Sequence, residues 1–138
     1  MPQYTTVELQ RLLAERYRDE AIEVELIDGL DPALNLTLAD FGDMQIQVAA
    51  AGGQIFVSTL LVEASQVRDR VAFNDACLRL NPHNPLSNLG LVQIAGQDAY
   101  IVFGELSASS TLEQIDEEIR ALAANTLDAA ESLKSFFA

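Results

Sequence analysis

The sequence predicts an α+β fold built on a mainly antiparallel sheet, and three observations carry the prediction. Short runs of alternating apolar and polar residues recur between positions 22 and 62, each separated from the next by a few turn residues. Connections that short join only antiparallel neighbours. Three other stretches repeat apolar residues every three or four positions, at the start, middle and end of the chain. The predicted order is α-β-β-β(-β)-α-β-β-α, layered as helices on a sheet. No Pro/Gly/Ser-rich linker divides the 138 residues, which read as a single domain, 1–138.

The first helix is predicted over residues 6–18. Thr5 stands three positions before Glu8, the spacing of a capping box. Leu9, Leu12, Leu13 and Tyr17 share a face, with Arg16 in its middle. Ile22, Val24 and Leu26 then alternate with Glu23 and Glu25 as a half-buried strand. Asp28-Gly29-Leu30-Asp31-Pro32 is turn chemistry. Leu34, Leu36 and Leu38 alternate with Asn35 and Thr37, and Phe41-Gly42-Asp43 turns the chain again. Met44, Ile46 and Val48 alternate with Gln45 and Gln47 up to the tight-turn pair Gly52-Gly53. Residues 55–62 are apolar on both faces, as in a central or doubly covered strand.

The second helix is predicted over residues 64–80. Val67, Val71 and Leu78 fall on one side of it, and Phe73, Ala76 and Leu80 on another, with Cys77 between. A helix apolar over more than half its girth touches two things, here its own sheet and a second subunit. Asn81-Pro82-His83-Asn84-Pro85 breaks the chain. A hairpin of strands 89–95 and 99–106 follows around Gly96-Gln97-Asp98. The closing helix is predicted over residues 111–136, with a capping box of Ser110 and Glu113. Leu112, Ile115, Ile119, Leu122, Ala123, Ala130, Leu133 and Phe137 form its stripe, and Glu113, Asp116, Glu117 and Glu118 its acidic start.

Composition excludes several functions. Apolar residues make up 49% of the chain, enough for a packed core. Eight Lys and Arg against 21 Asp and Glu give a net charge of −13, so nucleic acid and anionic membrane surfaces are excluded as partners. The apolar run 55–62 is too short to cross a bilayer, so no direct membrane insertion is expected. The opening Met-Pro-Gln-Tyr-Thr-Thr has neither a basic nor an apolar leader region, and the expected address is the cytoplasm.

Catalytic and metal chemistry find little support. His83, the single histidine, lies between two Asn-Pro steps and reads as a turn residue. Cys77 lies on an apolar helix face and reads as an inert core thiol that forms no internal disulfide. One His and one Cys do not make a zinc site, and the Asp-rich stretch 28–43 lacks EF-hand spacing. Neither G-x-G-x-x-G nor G-x-x-x-x-G-K-[ST] occurs, so no phosphate cradle is expected. Asp40 and Asp43 are the one carboxylate pair to weigh for an enzyme, and read first as solvated turn formers. No cofactor is expected.

The element order resembles the class I type III secretion chaperones. The segment Gly90-Leu91-Val92-Gln93-Ile94-Ala95-Gly96-Gln97-Asp98-Ala99-Tyr100-Ile101-Val102-Phe103 resembles their final hairpin, and residues 112–133 their closing helix. Residues 44–62 add to the likeness, and the strand at 22–27 departs from it. Within that fold the chain resembles the uncharacterised bacterial YjfI-like family, on its length, on Asn81-Pro82-His83-Asn84-Pro85 and on the acidic closing helix. The chaperone resemblance implies a small acidic cytoplasmic homodimer that binds a segment of another protein without ATP. It implies dimerisation through the middle helix and the preceding strand, here residues 67–80 and 55–62.

The expected function is therefore a non-catalytic, chaperone-like protein-binding module that shelters a segment of a partner protein as a homodimer. Val67, Val71, Asn74 and Leu78, with Phe56-Val57 of the strand, are the expected dimer interface. Leu9, Leu12, Leu13, Leu36 and Leu38 are the expected partner-binding residues, and a free sheet edge is a second place for a client strand. The alternatives are a regulatory adaptor that binds one folded partner in bacterial envelope stress or membrane maintenance, and last a small enzyme.

Overall fold

Six strands form one antiparallel sheet in the computed structural model, which describes residues 3–138. They are β1 (Ile22–Ile27), β2 (Ala33–Leu38), β3 (Met44–Ala51), β4 (Gln54–Glu63), β5 (Asn88–Ile94) and β6 (Gln97–Ser107). Their spatial order is β1-β2-β3-β4-β6-β5. The first four strands are a meander, as turn chemistry dictates. The last hairpin docks through β6, the longer and more buried of its two strands, and leaves β5 as the outer edge. Ala95 and Gly96, both at positive φ, make its two-residue turn. That is one step ahead of the expected Gly96-Gln97-Asp98.

The helices are α1 (Thr6–Arg16), α2 (Arg70–Leu80) and α3 (Leu112–Leu133). All three pack on the same face of the sheet. Leu34, Leu36, Ile46, Val48, Ile55, Val57 and Val102 point into this layer, where Leu9 and Leu13 of α1 and Ile115, Ile119 and Leu122 of α3 close over them. All twelve are fully buried. Burial of a Leu, Ile or Val side chain contributes about 1.5–3 kcal/mol, so this layer is the main source of stability.

Several expectations need correction. Leu9, Leu13, Leu36 and Leu38 are 0–1% exposed, so these four are closed to any partner. Alternation put Leu36 and Leu38 on one sheet face correctly, but α1 covers that face, and its own apolar side is spent there. Leu12, beside them on α1, is half-buried. Strand β4 is central but not doubly covered, since Phe56 and Leu60 stand on its helix-free face.

The middle helix is also shorter than its apolar pattern. A 3-10 turn spans Ala64–Gln66, and α2 starts only after Asp69, whose side chain accepts a hydrogen bond from Ala72 N at 3.1 Å. The residues between are claimed by the C-terminal segment. Val67 forms a bridge with Phe137, Arg68 N donates to Phe136 O at 2.9 Å, and Ala138 N donates to Gln66 O at 2.7 Å. Val67 is therefore neither helical nor exposed, and leaves the expected dimer face. The capping box of α3 is Thr111 with Gln114, one position beyond the expected pair, and a 3-10 turn at Lys134–Phe136 follows the helix. This turn brings Phe136 and Phe137 against Phe73 of α2, with ring centroids 5.5 and 6.1 Å apart.

Candidate partner-binding surfaces

The first surface joins α2 to the β5 edge. Its inner side is anchored by Phe73, whose ring meets Tyr100 edge-on at 4.6 Å, and by buried Cys77. The Tyr100 hydroxyl donates to Asn74 Oδ1, so Asn74 is half-buried and orients that ring. Outward on the same helix, Val71 is 82% exposed and Leu78 71%. Between α2 and β5 runs a groove of about 230 Å³, lined by Asn74, Cys77, Leu78, Leu89, Leu91 and Tyr100 among others.

The edge itself is capped at one point. Asn81 Oδ1 accepts from Leu89 N at 2.6 Å, and Asn81 Nδ2 donates to Leu89 O at 3.3 Å. Leu89 thus turns its backbone groups away from β6, and the period of two turns those of Leu91 and Gln93 the same way. Beyond Asn81 the edge is open. β5 carries no charge, whereas the opposite edge, β1, carries Glu23 and Glu25. Charged edge strands resist pairing with another chain, and uncharged ones invite it.

The second surface is the helix-free face of the sheet, which the pairing register divides into two halves. Asn35, Thr37, Gln45 and Gln47 stand over β2 and β3, with Gln47 Nε2 donating to Asn35 Oδ1 at 2.6 Å. Over β4, β6 and β5 stand Phe56, Leu60, Ile101, Phe103, Val92 and Ile94. The rings of Phe56 and Phe103 stack at 5.5 Å. Phe103 also covers Gly90, where a Cβ would come within 2.9 Å of its ring. Ile101 and Ala99 are buried there, at 5% and 2% exposure, yet belong to no part of the main core. The signal for this surface was the two-faced apolarity of residues 55–62. That pattern reads as a central or doubly covered strand, because one sequence does not show whether a second layer exists.

Of the expected interface residues, Val71 and Leu78 share the α2 face, Asn74 lies beside them, Val57 is in the core, and Phe56 belongs to the open sheet face. The titratable groups form staples. The Tyr17 hydroxyl donates to Asp116 Oδ1 at 2.6 Å, and Arg120 bridges Asp116 at 2.9 Å and Glu20 at 2.7 Å. Burial, then the hydrogen bond to Asp116, pushes the Tyr17 phenol well above its ordinary value. Arg70 joins Asp98 at 3.1 Å in the same way at the hairpin end. Burial pushes the Cys77 thiol up to about 11, so it is a poor nucleophile at neutral pH. His83 lies exposed in the 3-10 turn Asn81–His83, and Asp40 and Asp43 are exposed around the turn before β3. No group of three or more His, Cys, Asp or Glu among the described residues has the geometry of a metal site, and no described helix is long and apolar enough to cross a membrane.

Comparison with known proteins places the chain. Residues 3–137 match the model of a family described as an uncharacterized protein conserved in bacteria, DUF2170. Protein YjfI of Escherichia coli K12, itself uncharacterized, is 36% identical over 110 residues, which cover 80% of this chain and 83% of YjfI. Among solved structures, an uncharacterized protein from Methanothermobacter thermautotrophicus has a TM-score of 0.68 at 10% identity, over 94% of this chain and 99% of its own. YbjN of E. coli, described as a candidate transcription regulator, has a TM-score of 0.65 at 17% identity, over 94% and 96%. The ExsC-ExsE complex follows with a TM-score of 0.49 at 17% identity, over 93% and 95%.

Proposed function

This chain belongs to the bacterial DUF2170 family, and from that premise we propose that it is a non-catalytic protein-binding module that works as a homodimer in the cytoplasm. The observation that carries the proposal is the outer face of α2. Val71 and Leu78 stand seven residues apart on one side of an 11-residue helix, both largely exposed. They flank an apolar groove and an uncharged strand edge. Apolar side chains grouped in this way are a liability for a monomer and ordinary at an interface. A two-fold contact suits them, because a helix face and a strand edge can each meet their own copy. Leu78 of one protomer would enter the groove beside Cys77 of its partner. In a chain of charge −13 this face is a favourable place for like to meet like, since Asp75 and Arg79 on the helix neutralise each other at 2.8 Å and Arg70 neutralises Asp98 at 3.1 Å.

Dimerisation here leaves the helix-free face of the sheet open for a partner protein. Light scattering tests the reading. The wild type is expected at twice 15.0 kDa, and Val71→Asp at 15.0 kDa with an unchanged circular dichroism spectrum. A wild type that is monomeric at every concentration overturns the dimer.

A further inference from the structure

We infer that the helix-free face of the sheet is a docking site for a cationic amphipathic segment of another protein, an inference that rests on the protein-binding reading above. Antiparallel sheets with one open face normally turn polar residues to water there. The β2–β3 half of this face does so, and the β4–β6–β5 half does not. There Phe56, Leu60, Phe103, Val92 and Ile94 form a continuous apolar strip that already buries Ile101 and Ala99. A hollow of about 180 Å³ at its hairpin end, between Leu60, Ile94 and Ala99, has Glu63 on its rim.

The charges on this face choose the occupant. All eight Lys and Arg of the chain lie outside the strands. The strip is rimmed by Glu105 opposite Phe56 and Glu63 opposite Ala99, and the far edge of the same face carries Glu23 and Glu25 on β1, all exposed. None of the four has an ion-pair partner among the described residues. A second copy laid on this face would set glutamates against glutamates, which disfavours it. A segment with apolar residues on one side and Lys or Arg on its flanks satisfies both the strip and its rim. Such a segment, as a helix, supplies the second layer that this sheet face lacks.

Titration calorimetry with two synthetic helical peptides tests this: an amphipathic leucine–lysine peptide and a leucine–glutamate peptide with the same apolar spacing. The lysine peptide is expected to bind, more weakly as salt rises, and the glutamate peptide not. Affinity should fall about tenfold or more in Leu60→Ser/Ile94→Ser, and similarly in Glu63→Gln/Glu105→Gln, whose isosteric changes at exposed positions spare the fold. The equal-charge control Glu113→Gln/Glu117→Gln, on α3, should leave affinity unchanged. Equal binding of both peptides, or the same loss in the control, overturns the inference. So does lysine-peptide binding that survives both sheet-face variants, or a wild type that binds neither peptide. Light scattering on the same samples separates the two readings. A dimer that ignores the lysine peptide removes this site and keeps the homodimer, and a monomer that binds it does the reverse.

Discussion

Glu118 shows how a single residue departs from its local pattern. It belongs to the acidic start of α3, where dipole and solvent account for a carboxylate. Its neighbours Glu113 and Glu117 are exposed, but Glu118 is 7% exposed and lies over Gly104 of β6. A Cβ on Gly104 would fall 1.9 Å from Glu118 Oε1, so the strand is glycine where the carboxylate crosses it. Burial, and secondarily the charge of Glu117, raises the Glu118 carboxyl above its ordinary 4.5. The folded chain then holds this proton more tightly than the unfolded chain. Its contribution is therefore neutral well below pH 4.5 and turns unfavourable as pH rises through 4.5 to the folded value. Glu118→Gln is expected to raise the melting temperature at neutral pH and to leave it unchanged in acid, which calorimetry at the two pH values checks.

At the scale of elements, helix starts are decided by the competition between a cap and the pairing that precedes it. The apolar repeat from Val67 to Leu80 reads as one helix. The bridge to Phe137, with backbone bonds to Phe136 and Ala138 on either side, keeps Val67 extended instead, and Asp69 then caps what remains. Losing the cap in Asp69→Ala should cost about 1 kcal/mol, read as a lower denaturation midpoint with an unchanged slope. A short helix held in this way presents Val71 and Leu78 rigidly, which is the geometry the proposed dimer needs. The sheet edges follow the same logic. β1 protects itself with Glu23 and Glu25, whereas β5 relies on one Asn81 side chain at Leu89 and leaves the rest open.

At the scale of the whole molecule, one sheet face is sealed and the other is open, and this division sorts the leucines into buried and exposed. Leu36 lies on the sealed face, fully buried beneath α1. Leu36→Ala should destabilise the fold by about 2–5 kcal/mol, measured by denaturant unfolding, and Leu36→Asp should prevent folding. Leu60, 47% exposed on the open face, tolerates Ser with little loss of stability. If both leucines behaved alike, the assignment of the two faces would be wrong.

The sequence by itself determined the α+β class, a sheet of five or six strands and the antiparallel meander. All of these rest on near-neighbour physics: alternation with a period of two, turn residues, caps and helical periodicity. It also marked residues 55–62 and the second helix as more apolar than one buried face requires. Only the tertiary structure decided which surplus faces remain exposed. Leu9, Leu13, Leu36 and Leu38 carry the same pattern as a binding face, but α1 closes on the sheet and spends them. Val71, Leu78, Phe56 and Leu60 carry it too and stay uncovered, because all three helices pack on one side. Periodicity states that a face is apolar. What covers that face depends on contacts between distant parts of the chain, such as Val67 with Phe137 or Tyr17 with Asp116, which no local pattern encodes.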